Sequence, residues 1–222
     1  MKSAREEILR KLKAADKKAA APRPDMPALN ELALNGDELV AKFIEEITAQ
    51  TGVVHRVEEN RRALARLTAI VQAEEISTVM VSNDDVVTTL NLPAWGKENG
   101  VKVLNSRDFN DRDRFIDAVF EEAQAGITGA DFAVAESGTI GQIHNKDQPR
   151  LTSLAPIHHI ALLPLDRLVA VYENVTDILF GQRDTIPNHI TFITGPSMTA
   201  DIQATPFKGM HGPRKLEIIL IG

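Results

Sequence analysis

Apolar side chains recur along this chain at two spacings, and the way the spacings take turns predicts the fold. Over residues 37–51, Leu39, Val40, Phe43, Ile44 and Ile47 fall on one helical face, and Gly52 stops the run. Short apolar runs with strand character follow at 53–57, 78–81 and 101–104, separated by helical patterns at 60–75, 84–99 and 111–125. Strand and helix in alternation require crossover connections, hence a mainly parallel sheet with helices on both faces. After Gly126 the texture changes. Strand-like runs recur at 132–135, 157–163, 190–193 and 216–221, but Gly, Pro, His and Ser crowd the connections, and only 174–180 reads as a further helix. The expected architecture is a three-layer α/β/α body.

The first residues stand apart. Ser3 and Glu6 fit a capping box, and Ile8, Leu12 and Ala15 recur on one face, which predicts a short helix. Prolines at 22, 24 and 27 cannot continue it. Residues 1–27 are therefore read as a basic helical arm with a Pro-rich linker, and 28–222 as the α/β domain. Residues 1–24 carry eight basic against three acidic side chains, leaving 17 basic and 28 acidic of the totals of 25 and 31 for the rest. No aromatic residue interleaves the arm to stack on bases, so a nucleic-acid partner is not expected. With 43% hydrophobic and 25% charged residues the chain can bury a core, which argues against general disorder. No apolar run approaches a membrane span and no secretory h-region opens the chain, so the expected location is cytoplasmic. The absence of cysteine removes disulfides, thiolate nucleophiles and cysteine-ligated clusters.

The change of texture directs attention to three segments: Ala135-Glu-Ser-Gly-Thr-Ile-Gly141, Gly195-Pro-Ser-Met-Thr-Ala-Asp-Ile202 and Gly209-Met-His-Gly-Pro213. In open α/β sheets, loops at the carboxyl ends of strands carry the ligand. Glu136 ends an apolar strand before a small-residue turn. It can serve as nucleophile or general base, or it can cap neighbouring N–H groups and brace the turn. Gly138 and Gly141 permit positive φ or close approach of a ligand. The 195–202 loop is expected to open a short helix. Its N–H groups and the Ser197 and Thr199 hydroxyls can cradle a phosphate or carboxylate, or Ser197 or Thr199 can act as an N-cap with Asp201 complementing the helix dipole. Arg150 is the candidate cation, able to fork onto a carboxylate. Five of the six histidines lie from 144 onward, yet none has metal-ligand spacing, and adjacent His158 and His159 on a strand point to opposite faces. His211, between two glycines, is the expected ligand contact, and no metal is expected. There is no GxGxxG fingerprint, Walker loop or nucleophile elbow, so no cofactor is expected. Glu136, Thr139, Arg150, Ser197, Thr199, Asp201 and His211 are expected to meet in one pocket for a small anion.

These segments, in this order and together with Gly126-Ile-Thr and Arg150 with Pro156, resemble the LUD-domain family and within it the lactate-utilisation protein C (YkgG-like) group. The resemblance covers about residues 28–222 and is most specific from Gly126 onward. It implies a fold similar to the sugar-phosphate isomerase, CoA-transferase and folate cyclo-ligase group. It also implies an accessory or substrate-handling role in oxidation of L-lactate to pyruvate beside iron–sulfur subunits. Glu136-Ser-Gly-Thr-Ile-Gly141 is similar in spacing to the Glu-Asn-Gly turn of type I CoA-transferases, although Ser137 replaces the asparagine. That likeness implies the alternative of a free-standing enzyme acting on a small carboxylate, CoA ester or phosphate through Glu136.

Overall fold

The computed structural model describes residues 4–15, 34–181, 187–200 and 206–222. The chain divides into two units, Met1–Asn30 and Glu31–Gly222. In the first, helix α1 (Ala4–Ala14) has acidic residues in its first turn, basic ones in its last, and no buried side chain. That charge order suits the helix dipole, and the Lys11–Glu7 pair at 3.0 Å adds a few tenths of a kcal/mol, about the usual worth of an exposed i,i+4 pair. Ser3 of the expected capping box and the proline linker lie outside the described residues.

The second unit runs α2 (Gly36–Ala49), β1 (Val53–Val57), α3 (Asn60–Ala73), β2 (Thr78–Val81), α4 (Asp85–Thr89), α5 (Leu92–Asn99), β3 (Lys102–Asn105) and α6 (Arg112–Asp117). It continues through β4 (Ala125–Gly129), β5 (Phe132–Val134), β6 (Thr139–Ile143), α7 (Arg150–Leu154), β7 (His158–Pro164), β8 (Leu168–Val169) and α8 (Tyr172–Thr176). Strands β9 (Ile190–Ile193), β10 (Met198–Ala200), β11 (Pro206–Lys208) and β12 (Lys215–Ile221) close it. The central sheet has six strands in the order β1-β12-β7-β4-β2-β3, every pairing parallel. The strand period of two sorts its side chains between two cores. Ile160, Leu162 and Ile219 pack with α3, α4 and α5 through Leu67, Val87 and Trp95. Ala161, Leu163, Ile218 and Leu220 face the other way and meet Phe43 and Ile47 of α2, with Ala133 and Ile140. Each fully buried side chain of this size contributes roughly 1.5–3 kcal/mol.

Four expectations need correction. The runs at 132–134 and 190–193 do not join the parallel sheet. They form a second, four-stranded sheet, β8-β5-β6-β9, with β6 antiparallel to both neighbours. Ala125, expected to end the helix at 111–125, and Gly126-Ile-Thr-Gly129, unassigned from sequence, form a wholly buried central strand; its glycines hide it, because an ideal Cβ on Gly126 would lie 1.7 Å from the Thr152 carbonyl oxygen. The expected helix at 84–99 is cut at Asn91, which takes φ 45° before Pro93 in the first turn of α5. Finally, residues 198–200 open no helix; they pair antiparallel with 206–208.

Candidate functional site

Two of the glycine-rich segments come together. The Ser197 N–H donates to the Pro213 carbonyl and the Gly209 N–H donates to the Ser197 carbonyl, both at 2.8 Å. The laced segments close a cavity of about 220 Å³. Its walls are Ser153 and Leu154 of α7, His159 at the start of β7, Thr191, Phe192 and Ile193 of β9 with Thr194 and Gly195, then Ser197, 211–213 and Leu216 at the start of β12. It therefore lies beside the amino ends of β7 and β12, not at the carboxyl ends where such pockets are expected. The reason is topological: the second sheet leans on this face of the central sheet, and β9 ends there. The carboxyl ends of β2 and β4 are already occupied by internal bonds. The Asp84 carboxylate accepts from the N–H groups of Val86, Val87 and Gly129 at 2.9–3.0 Å.

Of the residues expected to converge, Ser197 and His211 line the cavity. Thr139 is buried one hydroxyl away. Its Oγ1 lies 2.8 Å from each of Ser137 Oγ, Tyr172 Oη and Thr194 Oγ1, and Thr194 is in the wall. Glu136 is half-buried in the turn Ala135–Ser137, where Oε1 accepts the Tyr172 backbone N–H at 2.8 Å and so ties the start of α8 to β5. Arg150 is exposed at the first position of α7 and, among the described residues, forms no ion pair. Thr199 sits in β10 opposite Phe207 and is not in the wall. Asp201 lies outside the described residues. The glycines of the first segment serve the protein's own packing. An ideal Cβ on Gly138, at φ 62°, would lie 2.3 Å from the Ile47 backbone nitrogen, and one on Gly141 would lie 2.0 Å from the Phe132 ring.

Sequence reasoning missed His159. The two histidines do point to opposite faces. On one face His158 Nε2 stands 3.1 Å from Glu217 Oε1, while His55 Nε2 is 2.5 Å from Oε2. Burial pushes the Glu217 carboxyl up, but the imidazoles of His158 and His55 outweigh it and hold the group at about 2. On the other face His159 is buried against the cavity, with Nε2 2.8 Å from Thr128 Oγ1. Burial, with the charges of His158 and His144 adding to it, lowers its pKa to about 3, so its ring is neutral near pH 7. The usable signal was an imidazole on the same strand face as Ala161 and Leu163, where a core residue would otherwise stand. His144 also borders the site through a 2.7 Å bond from Nε2 to Thr191 Oγ1, and its pKa is lowered by burial and by Arg150 and His189.

The cavity wall presents hydroxyls and imidazoles together with Leu154, Ile193 and Leu216 and, among the described residues, no carboxylate, lysine or arginine. It suits a small molecule carrying oxygen acceptors and a short apolar portion. Among the described residues no group of three or more His, Asp or Glu is placed to hold a metal ion. No described helix is long and apolar enough to cross a membrane.

A parallel six-stranded sheet backed by a second mixed sheet, with a small cavity lined from both, defines an α/β protein. The chain belongs to the LUD domain family, which matches residues 40–221. It is similar to "Lactate utilization protein C" of Halalkalibacterium halodurans, 28% identical over 221 residues that cover 96% of this chain and 94% of that one. A protein of the same name from Anoxybacillus flavithermus is 32% identical over 155 residues, covering 70% and 68%. The crystal structure of a DUF162 family protein from Deinococcus radiodurans shares the fold, with a TM-score of 0.60 at 23% identity over 85% of this chain and 99% of that one.

Proposed function

We propose that this chain takes part in lactate utilisation as an accessory or substrate-handling subunit in the oxidation of L-lactate to pyruvate, in the cytoplasm beside iron–sulfur subunits. The observation that carries the reading is the similarity to a lactate utilization protein C along nearly the whole length of both chains. A chain without cysteine cannot supply thiolate ligands to a cluster, which agrees with a non-cluster subunit. What this subunit brings is the cavity. Ser197 and His211 contact a small anion there, Thr139 holds the Thr194 hydroxyl in place, and exposed Arg150 adds positive potential at the adjoining helix.

Deletion of the gene should abolish growth on L-lactate while sparing growth on glucose, and the wild-type gene should restore it. Affinity purification from lactate-grown cells should recover iron–sulfur partner subunits. A Glu136→Gln copy should also restore growth, because the glutamine oxygen still accepts from Tyr172 N–H; loss of growth with a folded variant favours the reading in which Glu136 is a reactive carboxylate.

A further inference from the structure

We propose that His159 is the ligand-orienting donor of the cavity, its Nδ1–H reaching an oxygen of a small monocarboxylate. Gln142 Nε2 lies 3.4 Å from the Gly129 carbonyl oxygen, which can only accept, so the amide is oriented with its nitrogen on that side. The same nitrogen donates to Thr128 Oγ1. A hydroxyl has one proton, and among the described residues the remaining acceptor at Thr128 Oγ1 is His159 Nε2, 2.8 Å away. Thr128 therefore donates to Nε2, and a neutral imidazole that accepts there carries its proton on Nδ1. With the amide so oriented, an Nε2–H tautomer strands the buried Thr128 hydroxyl proton.

The relay leaves one donor over. Nδ1 is buried and, among the described residues, has no hydrogen-bond partner, although His159 stands in the cavity wall. Buried polar groups are nearly always paired, and the cavity that His159 lines is where a partner from outside the chain can reach this nitrogen. The class of that partner follows from the wall. With no arginine or lysine there among the described residues, a phosphate ester's two charges are left unmatched, whereas a single carboxylate can be held by neutral donors. Leu154, Ile193 and Leu216 accommodate a short alkyl group, and about 220 Å³ is smaller than the roughly 300–1,000 Å³ usual for drug-sized ligands. The choice of a monocarboxylate rests on the lactate-utilisation reading; the tautomer does not.

Long-range ¹H–¹⁵N NMR on the intact chain with labelled histidine reads the tautomer directly. Titration of pyruvate, L-lactate and inorganic phosphate, followed by the same spectra and by calorimetry, reads the site. We expect a proton on His159 Nδ1, a shift of that nitrogen on adding pyruvate or L-lactate, and no comparable binding of phosphate. His159→Gln places an amide against Thr128 and removes the donor from the cavity. It should weaken binding ten- to a hundredfold, the loss of one hydrogen bond to a charged group. His159→Asn, whose amide falls near the Nδ1 position, should retain most of the affinity. An Nε2–H tautomer, phosphate binding as tight as pyruvate, or a folded His159→Gln variant of wild-type affinity overturns the proposal. So does failure of the wild type to bind either acid. If deletion nevertheless abolishes growth on L-lactate, that failure removes the donor role and leaves the lactate-utilisation reading standing. Binding without a growth defect does the reverse.

Discussion

Replacing Gly126 by alanine tests how tightly the cavity is tied to the central sheet. Gly126 lies in the middle of β4, wholly buried, with α7 packed on its Cα side. An added Cβ would stand 1.7 Å from the Thr152 carbonyl oxygen, and contacts under 3.0 Å essentially never occur, so the two must part by at least 3.0 − 1.7 = 1.3 Å. The obstacle is helix backbone, which cannot swing aside as a side chain does. Overpacking of this kind costs roughly 1–3 kcal/mol, and the rigid obstacle puts this case near the top of that range. Losing glycine's freedom in the unfolded chain gives back about 0.4–1 kcal/mol. The net loss is about 2 kcal/mol, or about 4–8 °C in melting temperature for a chain of this size. Because α7 also carries Ser153 and Leu154, its displacement should open the cavity wall opposite His159 and weaken pyruvate binding in the folded protein. Urea unfolding with calorimetric titration measures both effects. Gly181→Ala is the control, since among the described residues its Cβ would meet only Asp177 Cβ, at an ordinary 3.7 Å. A Gly126→Ala protein as stable as the control would refute the packing argument.

Three other outcomes are expected. Glu217 is held at about 2 against an ordinary 4.5, so its contribution to stability is present above 4.5 and is lost as pH falls through 2. Glu217→Gln should accordingly flatten the acid limb of a stability–pH curve over that window. Asp131 runs the other way. Burial raises it to about 6 from 3.8, so ionisation costs stability as pH rises through that interval. Asp131→Asn, which still accepts from the Ile143 N–H, should gain on the wild type between pH 4 and 7 in thermal melts. Deleting residues 1–30, a unit of their own, should change the melting temperature by less than about 2 °C, the smallest shift that 1 kcal/mol brings in a chain of this size.

How much of this could be read in advance depended on side-chain bulk. Strands β1, β2, β7, β9 and β12 are runs of branched apolar residues, and period and composition agree about them. Strand β4 is just as central but is Ala-Gly-Ile-Thr-Gly, because the close approach of α7 leaves no room at Gly126. Its small residues, the sign of tight packing, are also the sign of a loop. β6 was obscured in the same way: Thr-Ile-Gly-Gln-Ile reads as a small-residue turn until Phe132 is seen lying over Gly141. Assignment of β5 and β9 to a second sheet could not be read at all, since alternation fixes which face a residue takes and not what that face meets.

The same ambiguity governed the site. Glycine permits a close approach without naming what approaches: in the first segment it is α2 and Phe132, at Gly195 it is Gln50 and at Gly209 it is Arg214, while Gly195 and Gly212 also stand in the cavity wall. Histidine is ambiguous in a complementary way. A strand-end His-His pair in an apolar run reads as packing, and for His158, drawn to Glu217, that reading suffices. For His159 it is incomplete, because packing accounts for one ring nitrogen and, among the described residues, leaves the other without a partner. The decisive feature is therefore a relation among three strands: Gln142 from β6 orients Thr128 from β4, which sets the tautomer on β7. No spacing in the chain encodes such a relation, since 14 and 31 residues separate the successive partners. It arises only when the second sheet docks on the first. On that view the second sheet, absent from the expected three-layer body, is what makes the cavity, and mutations at its seam should disturb ligand binding before they disturb the fold.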